Sequence, residues 1–283
     1  MCEVLRVSRS GYYNWLSNQE KEASDREKKR EELKRKISQS FHNSFGTYGS
    51  PRIHSDLIEE GYIISQKTVA RIMQEMSLKA IISKKRVHTT DSNHHLHIYP
   101  NLLNQEFSVD EPNQVWVSDI TYIWTIEGWV YLASVLDLCS RKIVGWAQAP
   151  HIKKDLALKA LKMAMTTRNP GEGLIHHSDR GSQYCSHEYI NELNKIKAKI
   201  SMSRTGNPYD NACIESFHAT IKKELIYRNR FNTRDQAVKA VNYYIRHFYN
   251  EKRKHSALGY VSPNKYERHY NKTQNENYSK VTQ

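Results

Sequence analysis

Residues 114–124, QVWVSDITYIW, are followed closely by WVYLASVLDLC (129–139) and KIVGWAQA (142–149). All three runs are dense in β-branched and aromatic side chains, which suit the pleated, half-buried surface of a strand. The connections between them, the Glu127-Gly128 turn among them, are too short for a crossover helix, so the runs predict an antiparallel meander. Downstream the period changes. KKDLALKALKMAM (153–165) reads as a helix, LIHHS (174–178) as a short buried strand, SHEYINELNKI (186–196) as a helix and AKISMS (198–203) as a strand. Two further helices follow, over roughly 209–228 and 233–250. Three hairpin strands leading into alternating helix and strand predict an α/β fold, a mixed sheet with helices on both faces.

Upstream of the meander the chain reads as helical. Residues 22–40 form a very polar helical run whose only apolar stripe is Leu33, Ile37 and Phe41. Pro51 opens a helix with Ile53, Leu57 and Ile58 facing inward, and Gly61 is placed to end it. Ser65 can cap a second helix whose Val69, Ile72, Met73 and Met76 face inward, leaving Lys67, Thr68, Arg71 and Gln74 outside. Two short helices joined by a glycine turn fit a helix-turn-helix, in which Lys67 and Arg71 would meet DNA, and equally a plain helical hairpin.

The chain thus divides into a basic helical segment (1–45), a helix-turn-helix-like region (46–83), a linker (84–107), a core with a basic C-terminal extension (108–270) and a polar tail (271–283) expected to be disordered. In the linker, His94, His95 and His97 lack cysteine or nearby carboxylate partners beyond Asp91 and read as incidental rather than as a zinc site.

With 43 Lys+Arg against 30 Asp+Glu, the 283 residues carry a net charge of +13. The surplus sits at the two ends, while residues 91–217 are slightly acidic. That favours a polyanionic partner, held at the flanks of a centre whose carboxylates do something else. No apolar run approaches the ~18 residues of a membrane span. The opening MCEVLRVSRS carries charge where a signal peptide needs its apolar stretch, and the four cysteines never pair as CxxC. A cytoplasmic protein with reduced thiols is expected.

Three carboxylates stand out. Asp119 lies in the first strand, where apolar neighbours imply burial and a charge needs a reason. Asp179 follows LIHHS directly, at the C-terminal edge of a strand. Glu215 lies one turn into a helix begun by Asn207-Pro208, on one face with Asn211, His218 and Lys222. Each alone has a plainer reading, as a satisfied buried aspartate, a turn residue and a solvated glutamate. Together they can converge on a pair of hard divalent cations and support phosphoryl transfer. Asn211 reads as a donor supporting Glu215 or as a helix cap, and His177 as a packing histidine or one that orders a ligand. Trp116, Trp124, Trp129 and Trp146 read mostly as core residues rather than base-stacking ones. Lys252, Arg253 and Lys254 form a basic cluster suited to phosphate.

From YGSPRIH (48–54) to HSALGYVSPNKYE (255–267) the chain resembles the second-reading-frame transposases of integrase-core bacterial insertion sequences, relatives of retroviral integrase. The motifs that carry the resemblance are PNQVWVSDITYI (112–123), HSDRGSQY (177–184) and GNPYDNACIESFHATIKKE (206–224). It implies a ribonuclease-H-like integrase core in which Asp119, Asp179 and Glu215 are the catalytic, metal-binding triad, with Lys222 as the basic residue seven positions after the glutamate. The implied cofactor is Mg2+ or Mn2+, two ions with DNA bound. The implied reaction is 3′-end cleavage and strand transfer at insertion-sequence ends. Its partners would be DNA, further copies of the chain and the first-reading-frame protein of the same element, near a bacterial nucleoid and away from membranes. The zinc-binding His/Cys module of retroviral integrases has no counterpart. The competing readings are a DNA-binding regulator with a dead core and a ribonuclease-H-type nuclease.

Overall fold

The computed structural model describes residues 7–19, 24–80, 96–205 and 207–281, and the chain divides into two compact units, residues 1–80 and 81–283. The first unit contains α1 (Arg9–Gln19), α2 (Asp25–Asn43), α3 (Ser50–Glu59) and α4 (Gln66–Glu75). Helix α2 starts at a capping box in which the Ser24 hydroxyl accepts from the Glu27 amide and the Glu27 carboxylate accepts from the Ser24 amide. Pro51 occupies the first turn of α3, Gly61 follows that helix at φ +88°, and Ser65 caps α4 through the Thr68 amide. The shared core is Ile37, Ile53, Leu57, Val69, Ile72 and Met73. Ile58 does not join it: lying about 100° around α3 from Leu57, it is 48% exposed. Met76 is only half-buried at the end of α4. Lys67 and Arg71 are exposed on the outer face of α4.

The second unit is built on a five-stranded sheet of β1 (Val115–Thr125), β2 (Gly128–Asp137), β3 (Ile143–Ala149), β4 (Ile175–Ser178) and β5 (Lys199–Met202), in the order β3-β2-β1-β4-β5. The first three form the antiparallel meander, and β4 and β5 add to β1 in parallel. Residues alternate between faces along β1. Trp116 and Ile120 enter a core with Ala133 and with Leu156, Ala160 and Leu161 of α5 (Lys154–Arg168), joined by Tyr189 and Leu193 of α6 (His187–Lys195). Gly145 on β3 permits this close approach, since a Cβ there would lie 2.2 Å from the Ala160 carbonyl oxygen. Asp119 belongs to the opposite face, the one covered by α7 (Ala212–Glu224) and α8 (Arg234–Tyr243). Helix α8 continues into a π-helical turn, Tyr244–Tyr249.

The polar tail is where the backbone departs most from expectation. Helix α9 (Pro263–Val281) takes in residues 271–281 instead of leaving them irregular. Its start is anchored, because Glu267 accepts from Arg168, Lys142 and Ser140, and a helix already nucleated extends through polar residues at little cost. The first half of the linker, with His94 and His95, and Cys2 lie outside the described residues; His97 meets Tyr99 edge-on. No described helix is long and apolar enough to cross a membrane. Cys139, Cys185 and Cys213 are free thiols, and burial pushes the pKa of the first two up to about 11.

Candidate catalytic site

Strands β1 and β4 run parallel with Ser118 paired to Ser178, and Asp119 and Asp179 are the residues that follow this last pair on each segment. Asp119 is 5% exposed. Asp179, where β4 ends, accepts from the Gly181 amide at 2.9 Å, which curls the loop back on its carboxylate. Tyr184 lies farther along that loop, buried, with a hydroxyl that has no hydrogen-bond partner among the described residues. Burial first, then the charges of Asp119 and Asp179, push its pKa well above the ordinary tyrosine range. The motif HSDRGSQY contains Tyr184, but its spacing gives no hint that the hydroxyl feels both aspartates.

Helix α7 packs on β1 and β2. Asn211, at its N-terminus, donates from Nδ2 to the Ser118 carbonyl at 3.3 Å. One face further on, His218 Nδ1 sits 3.2 Å from Asp119 Oδ2 and Lys222 Nζ lies 4.5 Å over the Tyr122 ring. Glu215 falls between these contacts, four residues after Asn211 and three before His218, and so shares their face. Glu215 is half-buried.

Among the described residues no three His, Cys, Asp or Glu side chains are grouped closely enough to hold a metal ion. The candidate donors, Asp119, Asp179 and Glu215, are carboxylates, whose oxygens suit a hard cation such as Mg2+ or Mn2+ better than zinc. Among the described residues Asn211 Oδ1, whose amide nitrogen bonds to β1 beside Asp119, is buried without a hydrogen-bond partner and would be satisfied by a hydrated ion. The residues therefore fit such a cation.

Residues 109–208 and 196–263 match the integrase core domain family, and residues 28–86 match an HTH-like domain. Over 263 residues, 93% of this chain and 96% of the relative, it is 47% identical to an uncharacterized 31 kDa protein of insertion element IS600 from Shigella sonnei. Over 267 residues, 94% of this chain and 92% of the relative, it is 40% identical to transposase InsF of insertion sequence IS3A from Escherichia coli. The chain belongs to the integrase-core transposases of insertion sequences. Among solved structures the transposase is similar to the catalytic core domain of BIV integrase, at 17% identity and a TM-score of 0.43 over 59% of this chain and 99% of that one.

Away from these three carboxylates, the transposase departs from several expectations. His177 is fully buried, with Nδ1 2.8 Å from the Ser201 hydroxyl and Nε2 3.1 Å from that of Ser203. Both ring nitrogens are thereby occupied on β5 and just beyond it, so this histidine packs and does not order a ligand; burial lowers its pKa to about 4. Asn211 makes no side-chain cap and bonds to β1 instead. In the basic cluster only Lys252 is exposed. Arg253 is buried and grips Glu224 with Nε and Nη2 at 2.8–3.0 Å, and Lys254 is buried beside it in sequence, so neither presents a free cation to phosphate. Trp116 is a core residue as expected, and Trp146 donates to Asn242 at 2.8 Å. Trp124 and Trp129 are exposed instead, packed edge to face with centroids 4.7 Å apart near the hairpin tip, where the first residue of α8, Arg234, reaches the strand backbone.

Proposed function

We propose that the transposase cuts DNA at the ends of its insertion sequence to expose a 3′ hydroxyl and then joins that hydroxyl to a phosphodiester. The observation that supports this reading is that Asp119 and Asp179 follow the last paired residues of two adjacent parallel strands, while Glu215 lies on α7 between Asn211 and His218, both of which contact β1. These three carboxylates would hold two divalent cations, Mg2+ or Mn2+. Bound there, the ions supply activation of the attacking oxygen and stabilisation of the departing one. The protein's own part is to fix the carboxylates on rigid elements and to keep competing nucleophiles out. Tyr184 illustrates the second task, because burial and the two aspartates keep its hydroxyl protonated and unsuited to attack phosphorus. No covalent protein–DNA intermediate is then required.

The helix-turn-helix-like unit would read the ends through Lys67 and Arg71, while Lys222 near the triad and the exposed Lys252 would meet phosphate. Handling two ends together calls for more than one copy on DNA, and the first-reading-frame protein of the element is a further expected partner. In a joining assay with magnesium, Asp119→Asn, Asp179→Asn and Glu215→Gln should each abolish cleavage and joining while DNA binding persists. A variant that joined at the wild-type rate would remove its residue from the site. A nuclease of related fold would cut without joining, which the same assay separates.

A further inference from the structure

Asp119 on β1 and Ser134 on β2 are cross-strand partners on the face that α7 covers. A single side chain reaches both. The His218 imidazole places Nδ1 3.2 Å from Asp119 Oδ2 and Nε2 3.4 Å from the Ser134 hydroxyl, and the histidine and aspartate side chains are each 7% exposed. No hydrogen bond to Asp119 Oδ1 forms among the described residues.

We propose that His218 is the positioning residue for Asp119. An aspartate carboxylate turns about its last side-chain bond, and a ligand that must present one oxygen in a fixed direction needs that rotation stopped. The imidazole faces Oδ2, is itself held by Ser134 at its far nitrogen, and leaves Oδ1 for a cation. Because His218 lies three residues after Glu215, the same contact sets the rotation of α7 and keeps Glu215 turned toward β1. One side chain thus aligns two carboxylates that arrive on different elements. This inference rests on reading Asp119 as a metal ligand.

The test is a Mn2+ titration of the full chain, followed by the electron paramagnetic resonance signal of the free ion. His218→Asn puts an amide nitrogen near the place of Nδ1 and keeps the approach to Asp119, whereas His218→Gln puts it near Nε2 and keeps only Ser134. The Asn variant should bind Mn2+ nearly as wild type, and the Gln variant should lose about 10- to 100-fold in affinity, the usual effect of removing the partner of a metal ligand. In a cleavage assay the Gln variant should need correspondingly more metal and regain the wild-type rate at saturation, a pattern that general loss of packing would not give. If the two variants titrate alike, or if the Gln variant binds more tightly because the imidazole competes with the ion, the proposal is overturned. Asp119→Asn separates the two levels: unaltered Mn2+ binding there overturns the ligand reading itself, while its loss alongside indifferent His218 variants overturns only the role of His218.

Discussion

Lys222 is a cation that feels the charge of Asp119. Its ammonium lies over the Tyr122 ring, half-buried, and burial lowers its pKa even though Asp119 pulls the other way. A positive charge so placed attracts phosphate close to the reacting bond. Lys222→Ala should therefore slow single-turnover joining by about tenfold, the scale of one hydrogen bond to a charged group. Lys223→Ala, pointing about 100° away around α7, should change little. Equal rates for the two variants would take Lys222 out of the site. At this scale the sequence was informative about residue identity and poor about partners. The triad candidates and the shared face of Asn211, Glu215, His218 and Lys222 follow from motif and helical spacing alone. That His218 meets Asp119 depends on the β1–β2 register and on how α7 lies across it, neither of which is written in local spacing.

Helices and strands fell close to their expected places wherever an apolar period marked them, as in β1 through β5 and α3 through α7. They were missed where tertiary anchoring substitutes for a period, as in α9, held by Glu267 against Arg168 and Lys142. The basic cluster after the π-helical turn failed for a related reason: the partner of Arg253 is Glu224, 29 residues earlier, invisible to a local reading of charge. That pair joins the end of α7 to the segment after α8, with Tyr244 donating to the same carboxylate at 2.6 Å. Arg253→Ala leaves a buried carboxylate without its cation and should destabilise the protein by ~3–5 kcal/mol. The drop should appear in the midpoint of chemical denaturation, whereas the salt dependence of DNA binding by the folded variant should stay as in wild type. A stable variant with a shallower salt dependence would restore the phosphate-contact reading.

At the scale of the whole molecule, the proposed function assigns the two compact units two tasks, reading an end and reacting with it. Residues 81–283 contain their own sheet and core, so removing residues 1–80 should leave a folded catalytic unit. Such a truncated chain should lose discrimination between element ends and random DNA, while salt-sensitive binding to any duplex falls less, because base contacts specify and backbone contacts only position. Competition titrations at fixed salt would measure both, and equal losses would contradict the division of labour. The central claim remains that three carboxylates from two strands and a helix form one cation site. Anomalous diffraction from crystals of the full chain grown with Mn2+ tests it most directly. The account predicts manganese peaks bounded by the carboxylates of Asp119, Asp179 and Glu215, and lost in the Asp119→Asn variant. Manganese bound elsewhere, with those three side chains free of it, would contradict it.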